Sequence, residues 1–232
     1  MKWLYLALNM GSFLIPFLYS FEKRMYFIKY WKIVFSAITF SAIVYLAWDI
    51  PFTSMGIWGF NADYLIGTYI LGVPLEEVLF FFCIPYASIF LHYALLYFFP
   101  RLQLSEKLTK GITWFLLLLL LTVLFFNFDK WYTAVNYSIV ILLLILSLIQ
   151  GVKPLQSFYI TFLAVLVPFF LVNGVLTGSW IDEQVVWYND SENLGIRLGT
   201  IPVEDIGYAF GMLYVSVMII EKFKAKYDTK KA

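Results

Sequence analysis

Two pairs of adjacent carboxylates are the residues of this sequence whose types and spacing suggest chemistry. Glu76 and Glu77 form one pair, Glu204 and Asp205 form the other, and each pair opens a long apolar, aromatic run. A carboxyl group donates a proton when it is neutral and removes one when it is ionised. The pairs therefore indicate acid–base chemistry in apolar surroundings.

The stretches around the two pairs are similar. Residues 72–80 read GVPLEEVLF and residues 200–208 read TIPVEDIGY, with a proline two positions before the first carboxylate in both. The match extends backwards, so that Gly67 of the first stretch falls on Gly195 of the second. The sequence thus predicts two similar halves whose acidic helix starts converge on one enclosed site.

Helix capping is the structural alternative for such a motif. Proline suits the first position of a helix, and an acidic side chain in the first turn complements the positive end of the helix. Capping needs only one carboxylate, however, and both copies carry two. Ionisable residues at membrane depth are costly and usually mark function. We therefore favour a functional role over capping.

The composition predicts a protein that crosses a membrane several times. Hydrophobic residues make up 62% of the chain and aromatic residues 21%, and the mean hydropathy is +0.82, far above that of an ordinary soluble domain. No stretch combines clustered basic residues with aromatic ones, as a nucleic-acid-binding face would. Cys83 and His92 are the only residues of their types, which excludes an intrachain disulfide and the usual zinc sites.

Seven apolar segments are long enough to be membrane-spanning helices, which need about 20 residues each. They are expected at about 3–20, 33–50, 74–99, 112–128, 131–149, 158–178 and 201–220. Helices 1–3 and 5–7 then run in the same direction, with helix 4 as the inverting linker.

We therefore expect an all-α integral membrane protein that forms one membrane domain. Its parallel three-helix half-repeats would occupy residues 1–110 and 131–232, joined by a linker helix within 111–130.

Basic residues predict the orientation of these helices. All but Lys2, Lys130 and Arg197 of the 16 lysines and arginines fall on one side. Because cytoplasmic loops are enriched in Lys and Arg, we expect the amino terminus outside the cytoplasmic membrane and the carboxyl terminus in the cytoplasm. Both carboxylate pairs then lie at the outer boundary.

Helical spacing predicts which carboxylate of each pair faces inward. Glu204 lies on nearly the same face as Gly207 and Gly211, small residues that let another helix approach closely. Glu204, and Glu76 at the matching position, are therefore expected to face the interior. The second carboxylates lie about 100° around the helix and either belong to the site or face loop water.

Further candidates flank the pairs. Asp49 and Asn173 lie at the ends of helices 2 and 6, where they serve either as site residues or as caps. Arg197 is one of few cations in the outer loops and is a candidate to pair with the second carboxylate pair. Aromatic rings near the carboxylates are candidates to stabilise a cation through their faces. Among them are Trp58, Phe80, Trp180 and Tyr208.

These residues carry a resemblance. With Pro-Leu-Glu-Glu at 74–77 and Ile-Pro-Val-Glu-Asp at 201–205, the chain resembles the membrane-integral lycopene cyclase family. It looks like the fused single-chain form of the heterodimeric bacterial type, which is also similar to the cyclase domain of fungal bifunctional phytoene synthase/lycopene cyclases. The resemblance covers nearly the whole chain. Related enzymes that cyclise longer carotenoids share the motif.

The resemblance implies an isomerase that converts the acyclic ends of lycopene to rings, giving β-carotene or γ-carotene. A proton reaches the terminal double bond, a carbocation closes the ring, and a base removes a proton. Glu76 and Glu204 are then the acid and the base, in either order, with Glu77 and Asp205 as alternates. Burial against apolar walls favours the neutral acid, and aromatic rings shield the cation from water.

The resemblance also implies partners. We expect a lipid-soluble carotenoid, membrane lipid and other enzymes of the carotenoid pathway, and neither nucleic acid nor a metal. No cofactor is expected, because the sequence lacks the dinucleotide fingerprint typical of the unrelated flavin-dependent cyclases.

Two other functions remain open on the sequence. Parallel half-repeats also describe small seven-helix membrane transporters, although a carrier needs a polar path from both faces and the acidic groups here crowd one side. A non-catalytic carotenoid-binding membrane protein is the other alternative. Only a cyclase changes the pigment chemically, so pigment analysis separates the three.

Overall fold

The computed structural model describes residues 1–229, most of which lie in seven α-helices. Their bounds are α1 Leu4–Tyr19, α2 Trp31–Met55, α3 Leu75–Phe98, α4 Glu106–Phe126, α5 Trp131–Gln150, α6 Lys153–Leu176 and α7 Glu204–Thr229. The predicted helical architecture is confirmed for these residues. Lys230 and Lys231, two of the basic residues assigned above to the cytoplasmic side, lie outside the described residues.

Six helices in the described part of the chain are long and apolar enough to span a membrane. The exception is α1, whose 16 residues rise about 24 Å, less than the roughly 30 Å of a bilayer core. The chain is therefore an integral membrane protein with six helices of spanning length, and the seventh span stays a prediction.

Six short strands, which the sequence did not predict, lie in the loops before α3 and α7. They form three antiparallel two-stranded sheets, β1 with β4, β2 with β3 and β5 with β6. Their bounds are β1 Trp58–Phe60, β2 Tyr69–Ile70, β3 Val73–Pro74, β4 Val186–Tyr188, β5 Arg197–Leu198 and β6 Ile201–Pro202.

Three helices begin several residues away from the positions that the apolar pattern predicts, among them α6, which begins at Lys153 and not at 158. Helix α4 begins before the predicted 112, because the Ser105 hydroxyl accepts a hydrogen bond from Leu108 N at 3.3 Å. In its first turn Lys110 forms an ion pair with Glu106 at 2.6 Å. Helix α7 begins later than the predicted 201, because Ile201–Pro202 pairs as a strand.

The described chain forms two compact units. The first comprises Met1–Pro51, Ala62–Arg101 and the residues from Met212 onward. In this unit α1 packs along α3, and the Tyr86 hydroxyl shares a 2.7 Å hydrogen bond with the Ser20 hydroxyl. A buried apolar cluster surrounds that bond, made up of Phe27, Val34, Ala37, Ile38, Tyr86, Ile89, Tyr93 and Ile220.

The second unit comprises Phe52–Asn61 and Leu102–Gly211. In this unit α4 packs against α5 and α6, and the first two turns of α7 pack on α6 through Phe210. The Phe210 ring lies 5.2 Å from the rings of Phe158 and Phe162, in edge-on contacts with both. These contacts fix the start of α7 within the unit.

A hairpin of two-residue strands leads into each of α3 and α7. Just after the first hairpin, Leu75 N donates to Thr68 O at 2.8 Å, and after the second, Val203 N donates to Ile196 O at 2.9 Å. The capping alternative placed the proline at the first position of the helix. In the structure the proline of each motif is instead the last residue of a strand, and Pro74 adopts extended backbone angles. The hairpins therefore deliver the chain to both helices in the same way.

Strands β1 and β4 occupy equivalent places in the two repeats and pair with each other. The strands are antiparallel, and Gly59 pairs with Trp187, the residue at the equivalent position of the second repeat. The flanking residues pair in reverse order, so a local two-fold axis passes through this pair. The Trp187 ring lies over Gly59, where a Cβ atom would come within 2.3 Å of the indole. Glycine is therefore required at this contact.

Gly59→Ala is expected to destabilise the β1–β4 sheet, because the new Cβ must displace the Trp187 ring. Overpacking of this kind costs about 1–3 kcal/mol. The measurement is thermal unfolding of the purified protein in detergent. Gly111→Ala in α4 is the matched control, since nothing lies within 4 Å of its added Cβ. Equal melting temperatures for the two variants would contradict the close contact.

Candidate active site

Glu76 is held inside the first unit by the backbone of its own hairpin loop and by α1. Its side chain is fully buried, and its Oε1 accepts a 2.6 Å hydrogen bond from Ile66 N. Its backbone carbonyl accepts a 2.8 Å bond from Asn9 Nδ2. Its other carboxyl oxygen, Oε2, has no hydrogen-bond partner among the described residues.

Glu204 has the same surroundings inside the second unit. It is fully buried, and its Oε1 accepts 2.7 Å hydrogen bonds from Leu194 N and from the Thr133 hydroxyl. Its backbone carbonyl accepts a 2.7 Å bond from Asn136 Nδ2, and its Oε2 lacks a partner within residues 1–229. The first carboxylates of the two pairs thus occupy equivalent environments.

The contacts of these two side chains differ from those of helix caps. A capping carboxylate accepts bonds from the free N–H groups of its own first turn. Glu76 and Glu204 instead accept a bond from a residue ten positions earlier, in the loop before the hairpin. These hydrogen bonds connect the loop to the helix. The second carboxyl oxygen of each side chain is buried and has no partner among the described residues.

The second carboxylates are buried as well, which excludes the alternative that they face loop water. Glu77 is 8% exposed and accepts a 2.5 Å hydrogen bond from the Tyr5 hydroxyl. Asp205 is 4% exposed and accepts bonds from the hydroxyls of Tyr132 and Tyr188, the latter at 3.0 Å.

Asn173 completes the surroundings of Asp205. Its Nδ2 donates to Asp205 Oδ2 at 3.0 Å. This residue was predicted as a site residue or a helix cap, and in the structure its side chain contacts the second carboxylate pair. Asp49, its suggested counterpart, is buried inside α2, which continues to Met55, so Asp49 does not cap the end of that helix.

The predicted close approach of a helix to the Glu204 face of α7 is confirmed. A Cβ atom on Gly207 would lie 3.2 Å from the Tyr137 ring and 3.4 Å from Asn136 Oδ1. Helix α5 is therefore the neighbour that packs on this face, and it carries the asparagine that bonds Glu204.

Aromatic rings surround the second carboxylate pair. The Tyr132 ring stacks on Tyr188 at 5.7 Å and meets the buried Trp58 ring edge-on at 5.2 Å. Tyr208 lies 6.4 Å from Tyr132 on its other side. Trp58 and Tyr208, predicted from the sequence, thus belong to one aromatic cluster.

In the first unit, Phe80 lies next to the first pair. Its ring is 6.3 Å from Tyr5, the residue that donates to Glu77, and 6.1 Å from Phe81. Both carboxylate pairs therefore have aromatic neighbours on the helix that carries them.

Arg197 lies close enough to Asp205 for its charge to act on that carboxylate, but its direct ion pair is with a loop residue. Its Nη2 forms an ion pair with Asp190 at 2.5 Å, and its Nη1 donates to Thr200 O at 2.8 Å. Asp190 belongs to the same loop as Arg197, and the loop conformation brings its carboxylate against the guanidinium group. Trp180 is 76% exposed, and its ring lies 3.3 Å from the position of a Cβ atom on Gly174, the residue after Asn173.

The sequence interpretation missed the residues that hold the carboxylates. A signal for them exists, because Tyr-x-Ala-x-Asn occurs at 5–9 and again at 132–136. The tyrosines of this motif donate to the second carboxylates, and the asparagines donate to the backbone carbonyls of Glu76 and Glu204. Extending the repeat comparison to α1 and α5 would have found them.

No group of three or more His, Cys, Asp or Glu side chains that could hold a metal ion occurs among the described residues. The chemistry that these residues offer is proton transfer by carboxyl groups beside hydroxyls, amides and aromatic rings.

Comparison with known proteins bears on this site. A family model described as lycopene cyclase matches residues 2–96 and residues 129–223. Each matched stretch contains one carboxylate pair and one Tyr-x-Ala-x-Asn motif, and the double match shows the predicted internal repeat. Neither the curated proteins nor the solved structures gave a match.

Tyr132→Phe and Tyr188→Phe each remove one donor to Asp205 and leave the ring in place. We expect each to lower the free energy of unfolding by about 1–3 kcal/mol, because a buried carboxylate oxygen loses a hydrogen bond. Thermal unfolding in detergent measures the effect. Tyr19→Phe, at an exposed position of α1, is the matched control. A Tyr132→Phe variant as stable as this control would show that the hydrogen bond from Tyr132 to Asp205 does not stabilise the fold.

Proposed function

We propose that this chain, which belongs to the lycopene cyclase family, closes the acyclic ends of lycopene into rings without net oxidation or reduction. A carboxylic acid adds a proton to the terminal double bond, the resulting carbocation forms the ring carbon–carbon bond, and a carboxylate removes a proton from the ring. The product is β-carotene or γ-carotene, depending on whether both ends are closed.

One observation carries this proposal. Glu76 and Glu204 stand at the same place in the two matched repeats, each fully buried at the start of a helix of spanning length, and each keeps one oxygen without a partner in the described chain. A buried carboxyl oxygen free of protein donors is suited to exchange a proton with a hydrocarbon, which offers no hydrogen bond of its own. We assign these two side chains as acid and base.

The remaining site residues have supporting roles in this proposal. Glu77 and Asp205 are the alternates for proton transfer. Aromatic faces near each pair would stabilise the carbocation, which gains about 0.5–2 kcal/mol from each well-placed ring. The substrate-binding set is Asp49, Asn173, Trp58, Phe80, Trp180, Tyr208 and Arg197; Arg197 acts there through the loop that it joins to Asp190.

The surroundings of the reaction follow from the same proposal. The substrate is a lipid-soluble carotenoid that reaches the protein from membrane lipid, and other enzymes of the carotenoid pathway are its expected neighbours. The amino terminus lies outside the cytoplasmic membrane and the carboxyl terminus in the cytoplasm, as the distribution of Lys and Arg indicates. No nucleic acid or cofactor takes part.

Expression in bacteria that accumulate lycopene tests the function directly. We expect the wild-type chain to convert the red pigment to cyclic carotenoids, identified by chromatography. Glu76→Gln and Glu204→Gln should each lower the conversion by about a hundredfold or more, the usual contribution of acid–base catalysis. Glutamine keeps the shape and cannot transfer the proton.

The matched control is Glu106→Gln, which removes an exposed carboxylate from the first turn of α4 and should leave conversion unchanged. Unaltered lycopene in cells that contain well-folded wild-type protein would overturn the proposal. Copurified but chemically unchanged pigment would indicate a carotenoid-binding protein instead.

A further inference from the structure

In each unit, one buried glutamate oxygen and one buried asparagine oxygen lack a hydrogen-bond donor within the described residues. They are Glu76 Oε2 and Asn9 Oδ1 in the first unit, and Glu204 Oε2 and Asn136 Oδ1 in the second. All four side chains are at most 1% exposed. Leaving a buried acceptor unsatisfied costs about 1–3 kcal/mol, so the same costly pair in both repeats needs an explanation.

The orientation of the two amides is fixed by their other bond. Asn9 Nδ2 lies 2.8 Å from Glu76 O, and Asn136 Nδ2 lies 2.7 Å from Glu204 O. A backbone carbonyl can only accept, so the amide nitrogen must face it. Each Oδ1 is therefore an acceptor that needs a donor elsewhere.

In the second unit, Asn136 Oδ1 lies on the face of α7 that carries Glu204. It is 3.4 Å from the position of a Cβ atom on Gly207, which is three residues after Glu204 and so its neighbour on that face. Gly207 has no side chain that could donate. Glu204 Oε2 is buried without a partner in the described chain, and a proton on it would turn it into a donor for Asn136 Oδ1.

We propose that Glu76 and Glu204 each carry a proton on Oε2 in the resting protein, and that Asn9 Oδ1 and Asn136 Oδ1 accept the hydrogen bond from it. One proton in each repeat then satisfies both buried acceptors. The two asparagines are positioning residues that hold the acid oriented for transfer. The role in ring closure rests on the proposed function, whereas the protonated acids do not.

The donors around Asp205 support this assignment. Asp205 accepts from two tyrosine hydroxyls and from Asn173, whereas Glu204 Oε2 has no donor among the described residues. The two carboxyl groups are adjacent and buried, and two charges in such a place repel each other, so one proton per pair is the low-energy state. We place that proton on Glu204 Oε2, the oxygen that lacks a donor.

The step balances within one pair. The O–H bond of the acid breaks as its proton forms a C–H bond with the terminal alkene, which leaves a carbocation. A second carbon–carbon double bond attacks this cation and closes the ring. Loss of a ring proton to the carboxylate that donated the first proton, which thus acts first as acid and then as base, restores one proton per pair and needs no oxidant or reductant.

Infrared difference spectroscopy of the full chain in lipid nanodiscs, without substrate, tests the proposal. The wild-type minus Glu204→Gln spectrum should contain the C=O stretch of a protonated carboxylic acid, shifted by exchange into D2O. The Glu76→Gln difference should contain a second such band. The Asp205→Asn difference should contain the two stretches of an ionised carboxylate.

Asn136→Leu should move the Glu204 acid band to higher frequency, because the O–H group loses its acceptor, and Asn9→Leu should do the same to the Glu76 band. Asn127→Leu is the matched control: its amide also donates to a helix carbonyl, Val123 O at 2.9 Å, and its loss should leave both bands in place. Asn136→Leu should also lower pigment conversion by about five- to tenfold, as expected for one lost hydrogen bond.

Carboxylate bands in place of the acid band in the Glu→Gln differences would overturn the proposal, as would acid bands that neither asparagine variant moves. The Glu→Gln differences decide the point even if an asparagine variant fails to fold. Acid bands without pigment conversion would contradict the proposed function alone. Conversion without acid bands would contradict this inference alone.

Discussion

The burial of a carboxyl group at the start of a membrane helix is the constraint on which the rest of this structure depends. Such a group needs hydrogen bonds that neither lipid nor its own helix supplies. The chain provides one to each carboxyl group from a loop residue ten positions earlier, and Thr133 of α5 provides a second to Glu204. An asparagine of α1 or α5 bonds the backbone carbonyl of the same glutamate. The short hairpins, the prolines in extended conformation and the Tyr-x-Ala-x-Asn motif all serve these contacts.

The two repeats share most of the surroundings of the first carboxylate, although Glu204 has an additional donor in Thr133, where the first repeat has Leu6. They also differ around the second carboxylate. Tyr188, which donates to Asp205, has Phe60 as its counterpart in the first repeat, and phenylalanine has no hydroxyl to donate. Glu77 is also one methylene longer than Asp205. The repeats therefore keep the same buried glutamate and differ in the length and the hydrogen-bond donors of the second carboxylate.

Much of the fold and part of the site could be predicted from the sequence. Hydropathy locates the helices because each contains a long apolar run. The doubled Pro-x-Glu motif identifies Glu76 and Glu204. Two-residue strands leave no periodic signal, so the hairpins were missed. The direct ion-pair partner of Arg197, Asp190, could not be predicted because it depends on the loop conformation, which charge alone does not specify. Tyr5 and Asn9 were missed because their role depends on contacts between helices.

The central claim is that a carboxylic acid side chain of this protein donates a proton to the terminal double bond of a carotenoid. Single-turnover conversion of lycopene by the purified protein, equilibrated in D2O, tests it most directly through the mass of the product. The account predicts one deuterium for each ring formed. Cyclic product that carries no deuterium would contradict it, because the proton could not then have come from an exchangeable carboxyl group.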